Sequence, residues 1–172
     1  MIPYRVQQVL WALTARPISA EDSKLINEIL SPAERALFDQ FSDNDQNHSL
    51  RVVKLILISK QKDNLPLKKA ALLHDVGKVK VGRLSVIDRS VAVALKKLFP
   101  KRSKSWGSLK LETAKRFQVP SIVRAQHAEW GAEMVQAAGG DELTVSLILR
   151  HQDPPDPSDK LLSMLQSADN VS

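Results

Sequence analysis

Apolar residues recur along this chain mostly at three- and four-residue spacings, the mark of helices with one buried face. Val6, Val9, Leu10 and Leu13 give a candidate helix over residues 4–15. Ser19 followed by Asp22 resembles a capping box with aspartate in the acidic position. It opens a helix through Leu30 whose apolar side is Leu25, Ile26, Ile29 and Leu30. Ser31, Pro32 and Glu34 supply a cap, a proline at the first helical position and an acidic third position, so a new helix starts there and ends near Phe41. The polar run SDNDQN at 42–47 reads as a turn, followed by a helix over 46–60. Pro66 starts the next helix, which carries Leu72 and Leu73 and stops at Gly77.

In the second half, Ile87, Val91, Leu95 and Leu98 form a stripe over 84–99, with Lys96 and Lys97 beside it and Pro100 ending it. A helix over 105–117 and a short segment over 119–124 behind Pro120 follow. The next helix spans 128–138 and closes at Gly139 and Gly140; another runs from Asp141 or Glu142 to His151. DPPDPSD at 153–159 is a loop, and the last helix starts at Asp159 or Lys160 and ends at Asn170. No repeat, glycine-rich phosphate loop or alternating strand interrupts the pattern. The expectation is an all-α, single-domain helical bundle with extra N-terminal helices: a cap over 1–42 and the main domain over 43–172.

Composition narrows the classes. The 172 residues match one ordinary domain, and 43% apolar with 26% charged residues is a globular balance. There are no cysteines, which excludes disulfides, thiolate zinc sites and cysteine nucleophiles. The first 17 residues hold an arginine within their apolar stretch and lack a small-residue cleavage pattern, so no secretory signal is read there. VVKLILIS holds Lys54 and is too short to span a bilayer, leaving a soluble cytoplasmic protein as the expectation. The net charge of +6, with much of the excess between 78 and 116, suits an anionic partner: a phosphorylated small molecule, nucleic acid or a membrane surface.

The chain has four histidines, His48, His74, His127 and His151, each at or near the end of a predicted helix beside an apolar stripe. Asp75 follows His74 directly behind the apolar run AALL, where an ionised carboxylate is costly unless a cation or donor meets it. Imidazoles together with carboxylates are what first-row divalent metals require. In a helical bundle such ligands project inward from several helices, so scatter along the chain is expected. His74 and Asp75 point about 100° apart on a helix, and both reach one site only where the helix ends between them.

At these residues the chain resembles the HD-domain superfamily of metal-dependent phosphohydrolases, whose signature is a histidine, a His-Asp doublet and a distal aspartate. A two-metal branch adds two histidines between the doublet and the distal aspartate. Here NHSLRVVKLI supplies His48, ALLHDVGK supplies His74 and Asp75, AQHAEWGAEMV supplies His127, LILRHQ supplies His151 and LLSMLQSADN supplies Asp169. The resemblance covers 43–172, and the layout looks most like small single-domain members such as the bacterial dinucleoside tetraphosphatase type and HDIG-like proteins.

The resemblance implies that His48, His74, Asp75 and Asp169 hold one metal and that His127 and His151 hold a second, with Asp75 bridging the two. It implies two divalent transition-metal ions, iron or manganese foremost and zinc, nickel or cobalt also compatible. The expected activity is cleavage of a nucleotide-like phosphate ester or anhydride, with Asp75 and Lys78 in catalytic roles and Lys78 and Arg51 meeting substrate phosphate. Glu129 or Glu133 is read first as a solvated carboxylate and second as an acceptor for an imidazole. Trp130 is read as core, and Asp153 as part of a turn. The chain lacks a GYP tripeptide after HDVGK, and Gln152 follows His151 where a second histidine would mark cyclic-dinucleotide hydrolases of the HD-GYP type. Two other readings stand beside this one. In one the domain is a non-catalytic metal-binding signalling module; in the other it acts on single-stranded nucleic acid, a reading weakened by the scarcity of aromatics near the basic run.

Overall fold

The computed structural model describes residues 16–82, 94–95 and 97–172. The expected helix over 4–15 and most of the stripe over 84–99 lie outside them. The described residues form eight α-helices and two short 3-10 turns, with no strand among them. In chain order these are α1 (Ala20–Ile29), α2 (Pro32–Phe38), α3 (Asp43–Leu57), α4 (Leu65–Leu73), a 3-10 turn (Val76–Val81), α5 (Pro100–Trp106), a second 3-10 turn (Leu111–Thr113), α6 (Val119–Ala137), α7 (Glu142–Arg150) and α8 (Lys160–Asn170). The all-α architecture is as expected.

Capping side chains set the starts. Ser19 accepts from the Asp22 N–H, and the Asp22 carboxylate, rather than closing the box, takes the Ser19 hydroxyl and pairs with Lys54 at 2.6 Å. At α2 the capping box is complete, with Ser31 and Glu34 exchanging bonds. Glu34 is fully buried, and its other oxygen meets Lys69 Nζ at 2.9 Å, which ties α2 to α4.

Four boundaries differ from expectation. The run SDNDQN is a helix start: Ser42 caps the Asp45 N–H, so Asp43 and Asp45 lie in the first turn of α3, where carboxylates suit the helix dipole. Pro100 begins α5 instead of only ending the helix before it, because the missing N–H costs nothing in a first turn. α5 ends at Trp106, so 105–117 is not one helix. The segments over 119–124 and 128–138 are a single 19-residue α6, with Pro120 again in the first turn.

α4 explains where the core sits. Leu67 and the run Ala70, Ala71, Leu72 and Leu73 are all buried, so the C-terminal turn of this helix, beyond Lys68 and Lys69, is apolar on every side and must be surrounded. α1, α2, α3, α7 and α8 all pack on it. Ile26, Phe38, Val53, Ile56, Leu147, Ile148, Leu162 and Leu165 from those neighbours complete the main core. Each fully buried leucine contributes about 1.5–3 kcal/mol, enough to offset burial of polar groups at the end of α4 only if those groups have partners. A smaller cluster of Ile122, Val123 and Trp130 lies under Val81, Leu109 and Leu111. No helix among the described residues is long and apolar enough to cross a membrane.

Candidate metal centre

α4 ends at Leu73, with His74 as its C-cap. Asp75 (φ −97°, ψ 3°) has left helical geometry and leads into the 3-10 turn. The chain therefore bends between His74 and Asp75, which lets both side chains aim at one point. The expected helix stop is Gly77, but the helix ends four residues earlier at Leu73, and Gly77 is not among the glycines with positive φ. Its role is close approach: a Cβ there would lie 2.0 Å from the His127 carbonyl oxygen and 2.7 Å from Gly131 N. The 3-10 turn thus seats directly on α6 and brings His127 to the end of α4. His151 is the C-cap of α7, Asp169 is in the last turn of α8, and His48 is on α3.

These side chains converge in two groups, each with its donor atoms within 4.8 Å of one another: His48, His74 and Asp169, and Asp75, His127 and His151. Asp75 faces both. Its Oδ2 lies 3.5 Å from His74 Nε2 and 3.9 Å from His48 Nε2, while Oδ1 lies 3.3 Å from His127 Nε2. Asp169 Oδ1 lies 3.0 Å from His48 Nε2 and 3.5 Å from His74 Nε2.

Hydrogen bonds fix three of the imidazole tautomers. His74 Nδ1 meets Ala71 O at 3.1 Å, His127 Nδ1 meets Val123 O at 2.8 Å, and His151 Nδ1 meets Ile148 O at 2.7 Å. A carbonyl only accepts, so each Nδ1 carries the hydrogen and each neutral ring presents an Nε2 lone pair to the centre. His74 Nε2 is buried with no hydrogen-bond partner. His127 and His151 Nε2 face each other at 3.2 Å, lone pair against lone pair, with Asp75 Oδ1 beside them. A cation is the group that satisfies such an arrangement, and the donor set of imidazole and carboxylate fits a first-row divalent ion.

The electrostatics agree. Burial alone would raise Asp75, but the charges of Lys78 and His74 hold it well below the usual carboxylate range. Asp169 is likewise held well below that range against its burial, by the His48 imidazole at 3.0 Å and by the nearby His74 ring. Burial pushes His151 down to about 4, helped by the charge on His74, so its ring is neutral as a ligand must be. His74 is raised despite burial, because Asp75 and Asp169 flank it. A proton there is the local answer to two clustered carboxylates, and a divalent cation would displace it.

Around this centre, Lys78 Nζ pairs with Asp75 Oδ2, and its side chain is 41% exposed. His48 and Asp169 are 20% and 33% exposed while His127 and His74 are closed off, so the centre opens to solvent on the His48, Asp169 and Lys78 side. Arg51 lies one turn beyond His48 on α3, partly buried. The amide of Gln152 lies 3.2 Å from His127 Nε2, a contact that nothing in the sequence signals. Glu129 and Glu133 are exposed, and the imidazole Nδ1 atoms use backbone carbonyls instead. Trp130 is a core residue with Lys80 Nζ 4.9 Å over its ring. Asp153 is exposed in the turn after α7, 3.6 Å from Arg150.

Comparison with curated proteins and with solved structures returns no match. A family model described as HD domain matches residues 46–172, which includes all six residues of the centre. Members of that family are generally metal-dependent phosphohydrolases, and with three quarters of its length matched, in a helical fold that carries the histidine and aspartate cluster, the chain belongs to the HD domain family.

Proposed function

We propose that this chain is a phosphohydrolase that cleaves a phosphate ester or anhydride of a nucleotide. In this reading His48, His74, Asp75 and Asp169 hold one divalent cation and Asp75, His127 and His151 hold another, within a domain spanning 43–172 to which residues 1–42 form a helical extension. The observation that carries it is the opposition of His127 and His151: two Nε2 lone pairs at 3.2 Å, both tautomers fixed by backbone carbonyls, against one carboxylate oxygen. Iron or manganese suits the mixed donor set best, and zinc, nickel or cobalt is compatible. When bound, such a pair of cations supplies an activated water and neutralises phosphoryl charge.

The chain's own groups do the rest. Asp75 presents one oxygen to each half of the centre, which sets the spacing between them. Lys78, half in solvent at the mouth, leaves Asp75 Oδ2 to donate to a non-bridging phosphate oxygen. Arg51, one turn from His48, approaches the same phosphate from α3. Val123 O fixes the His127 ring through Nδ1, and the Gln152 amide, 3.2 Å from Nε2, would have to withdraw for that lone pair to meet a cation.

The experiment is a panel of phosphomonoesters, nucleotides and dinucleoside polyphosphates, assayed for phosphate release with manganese or ferrous iron beside an Asp75→Asn variant. Turnover of a nucleotide by the wild type alone is the expected result. Equal release by both proteins, or none from any substrate by a metal-loaded wild type, contradicts the proposal.

A further inference from the structure

A second site lies between α5 and α6, apart from the metal centre. There a groove of about 360 Å³ opens at the surface, within the size range of small-ligand pockets. It is held open by backbone. Gln126 donates its amide to Gly107 O at 2.6 Å and to Leu109 O at 3.1 Å, anchoring the end of α5 on α6. Gly107 allows this approach, because a Cβ there would lie 2.8 Å from Ala125 Cβ.

The groove is equipped for an anion. Lys104 enters from α5 and Arg124 from α6, both exposed, and neither has a carboxylate partner among the described residues. Ser103 and Ser121 face each other across it, their hydroxyls 3.0 Å apart, and a hydroxyl pair of this kind can turn a hydrogen to an acceptor. The surrounding field has one sign: between 97 and 124 the carboxylate of Glu112 stands alone against eight lysines and arginines. The remaining wall is mostly apolar. Ser121 and Ala125 lie roughly 120–160° around α6 from His127, so the groove is on the far side of that helix from the metal centre.

We infer that this groove binds a phosphorylated small molecule of mononucleotide size, with its phosphate between Lys104 and Arg124, near the two serine hydroxyls, and its apolar or aromatic body on the wall formed by Gly107 and Ala125. The site is independent of the metal centre and of whatever that centre hydrolyses.

The test is titration of the full chain with adenosine 5′-monophosphate and with inorganic phosphate, in chelator so that no metal provides a seat. Saturable binding at roughly millimolar ligand or tighter is expected, weakened about tenfold or more in a Lys104→Gln/Arg124→Gln double variant. Ala125→Trp, which fills the groove and leaves the charges, is expected to weaken the nucleotide more than phosphate, and Asp75→Asn is expected to bind as the wild type does. All of these positions but Asp75 are exposed, and circular dichroism verifies the fold of each variant. The inference is overturned if the wild type shows no saturable binding, or if binding is lost in Asp75→Asn and kept in the double variant. It is also overturned if vesicles containing phosphatidic acid, or a 5′-phosphorylated oligonucleotide, bind through Lys104 and Arg124 while the free nucleotide does not.

Discussion

Gly77 and His127 meet backbone to backbone, so closely that a Cβ on Gly77 would come within 2.0 Å of the His127 carbonyl oxygen. This contact is what sets the end of α4 against the middle of α6, and with it Asp75 against His127. Neither backbone can retreat without moving a donor of the candidate centre. Gly77→Ala is therefore expected to destabilise the fold by about 3 kcal/mol or more, at the upper end of overpacking effects, and to weaken metal binding in whatever folds. Urea denaturation with metal content measured in parallel tests this, and an alanine variant as stable as the wild type would show that the approach is not required.

Lys78 and Asp75 form an ion pair at the mouth of the centre. If the lysine serves substrate phosphate, Lys78→Met lowers kcat/KM about 10–100-fold and leaves metal content unchanged, while Lys78→Arg recovers part of the loss. A fall in metal content in Lys78→Met would instead place the lysine's role in holding Asp75.

The two groups of donors are separable. His127→Ala removes a ring from the Asp75, His127 and His151 group and leaves His48, His74 and Asp169 intact. The expected outcome is a fall from about two metals per chain to about one, with activity down at least about 100-fold. Retention of both metals would remove His127 from the ligand set.

The distribution of stability with pH has a test away from the centre. Asp141 caps α7, accepting from the Thr144 N–H at 2.9 Å and the Thr144 hydroxyl at 2.7 Å. Burial would raise its pKa, but the Thr144 donors bring it below the ordinary 3.8 of an aspartate. Because the folded value is the lower one, the stabilisation is present above the unfolded pKa and is lost as pH falls through the folded value. Asp141→Ala should cost about 1 kcal/mol near neutral pH, with the gap to wild type closing below about pH 4. Asp141→Asn keeps a cap without the titration, so it should start from a smaller deficit near neutral pH and likewise gain on the wild type as pH falls across that range. Denaturation midpoints at several pH values report this.

Much of the centre could be read from the chain because its chemistry is local in kind: six histidines and aspartates in order, each on a helical stripe, pairing residue types that a globular core otherwise avoids. The starts of α2, α7 and α8 were legible for the same reason, since Ser31, Asp141 and Asp159 cap within three residues of themselves. At Ser42 the sequence is ambiguous, because serine, aspartate and asparagine serve turns and caps alike, and only the bond to the Asp45 N–H decides. Pro120 marks the start of a helix but not its length, because a proline in a first turn is silent about how far the helix continues. At Gly77 local signals favour a helix stop, while its contact with His127 joins residues fifty positions apart. Nothing local signals the contact of Gln152 with His127, which comes from the turn after α7 that Gln166 holds by donating to the carbonyls of His151 and Asp153.

The most direct test of the account is elemental analysis of the protein purified without chelator, beside an Asp75→Ala variant prepared identically. About two equivalents of transition metal per chain, lost in the variant, is the predicted result. No metal in the wild type, even after reconstitution with iron, manganese or zinc, would contradict it, because the opposed imidazoles of His127 and His151 would then have no cation to satisfy them.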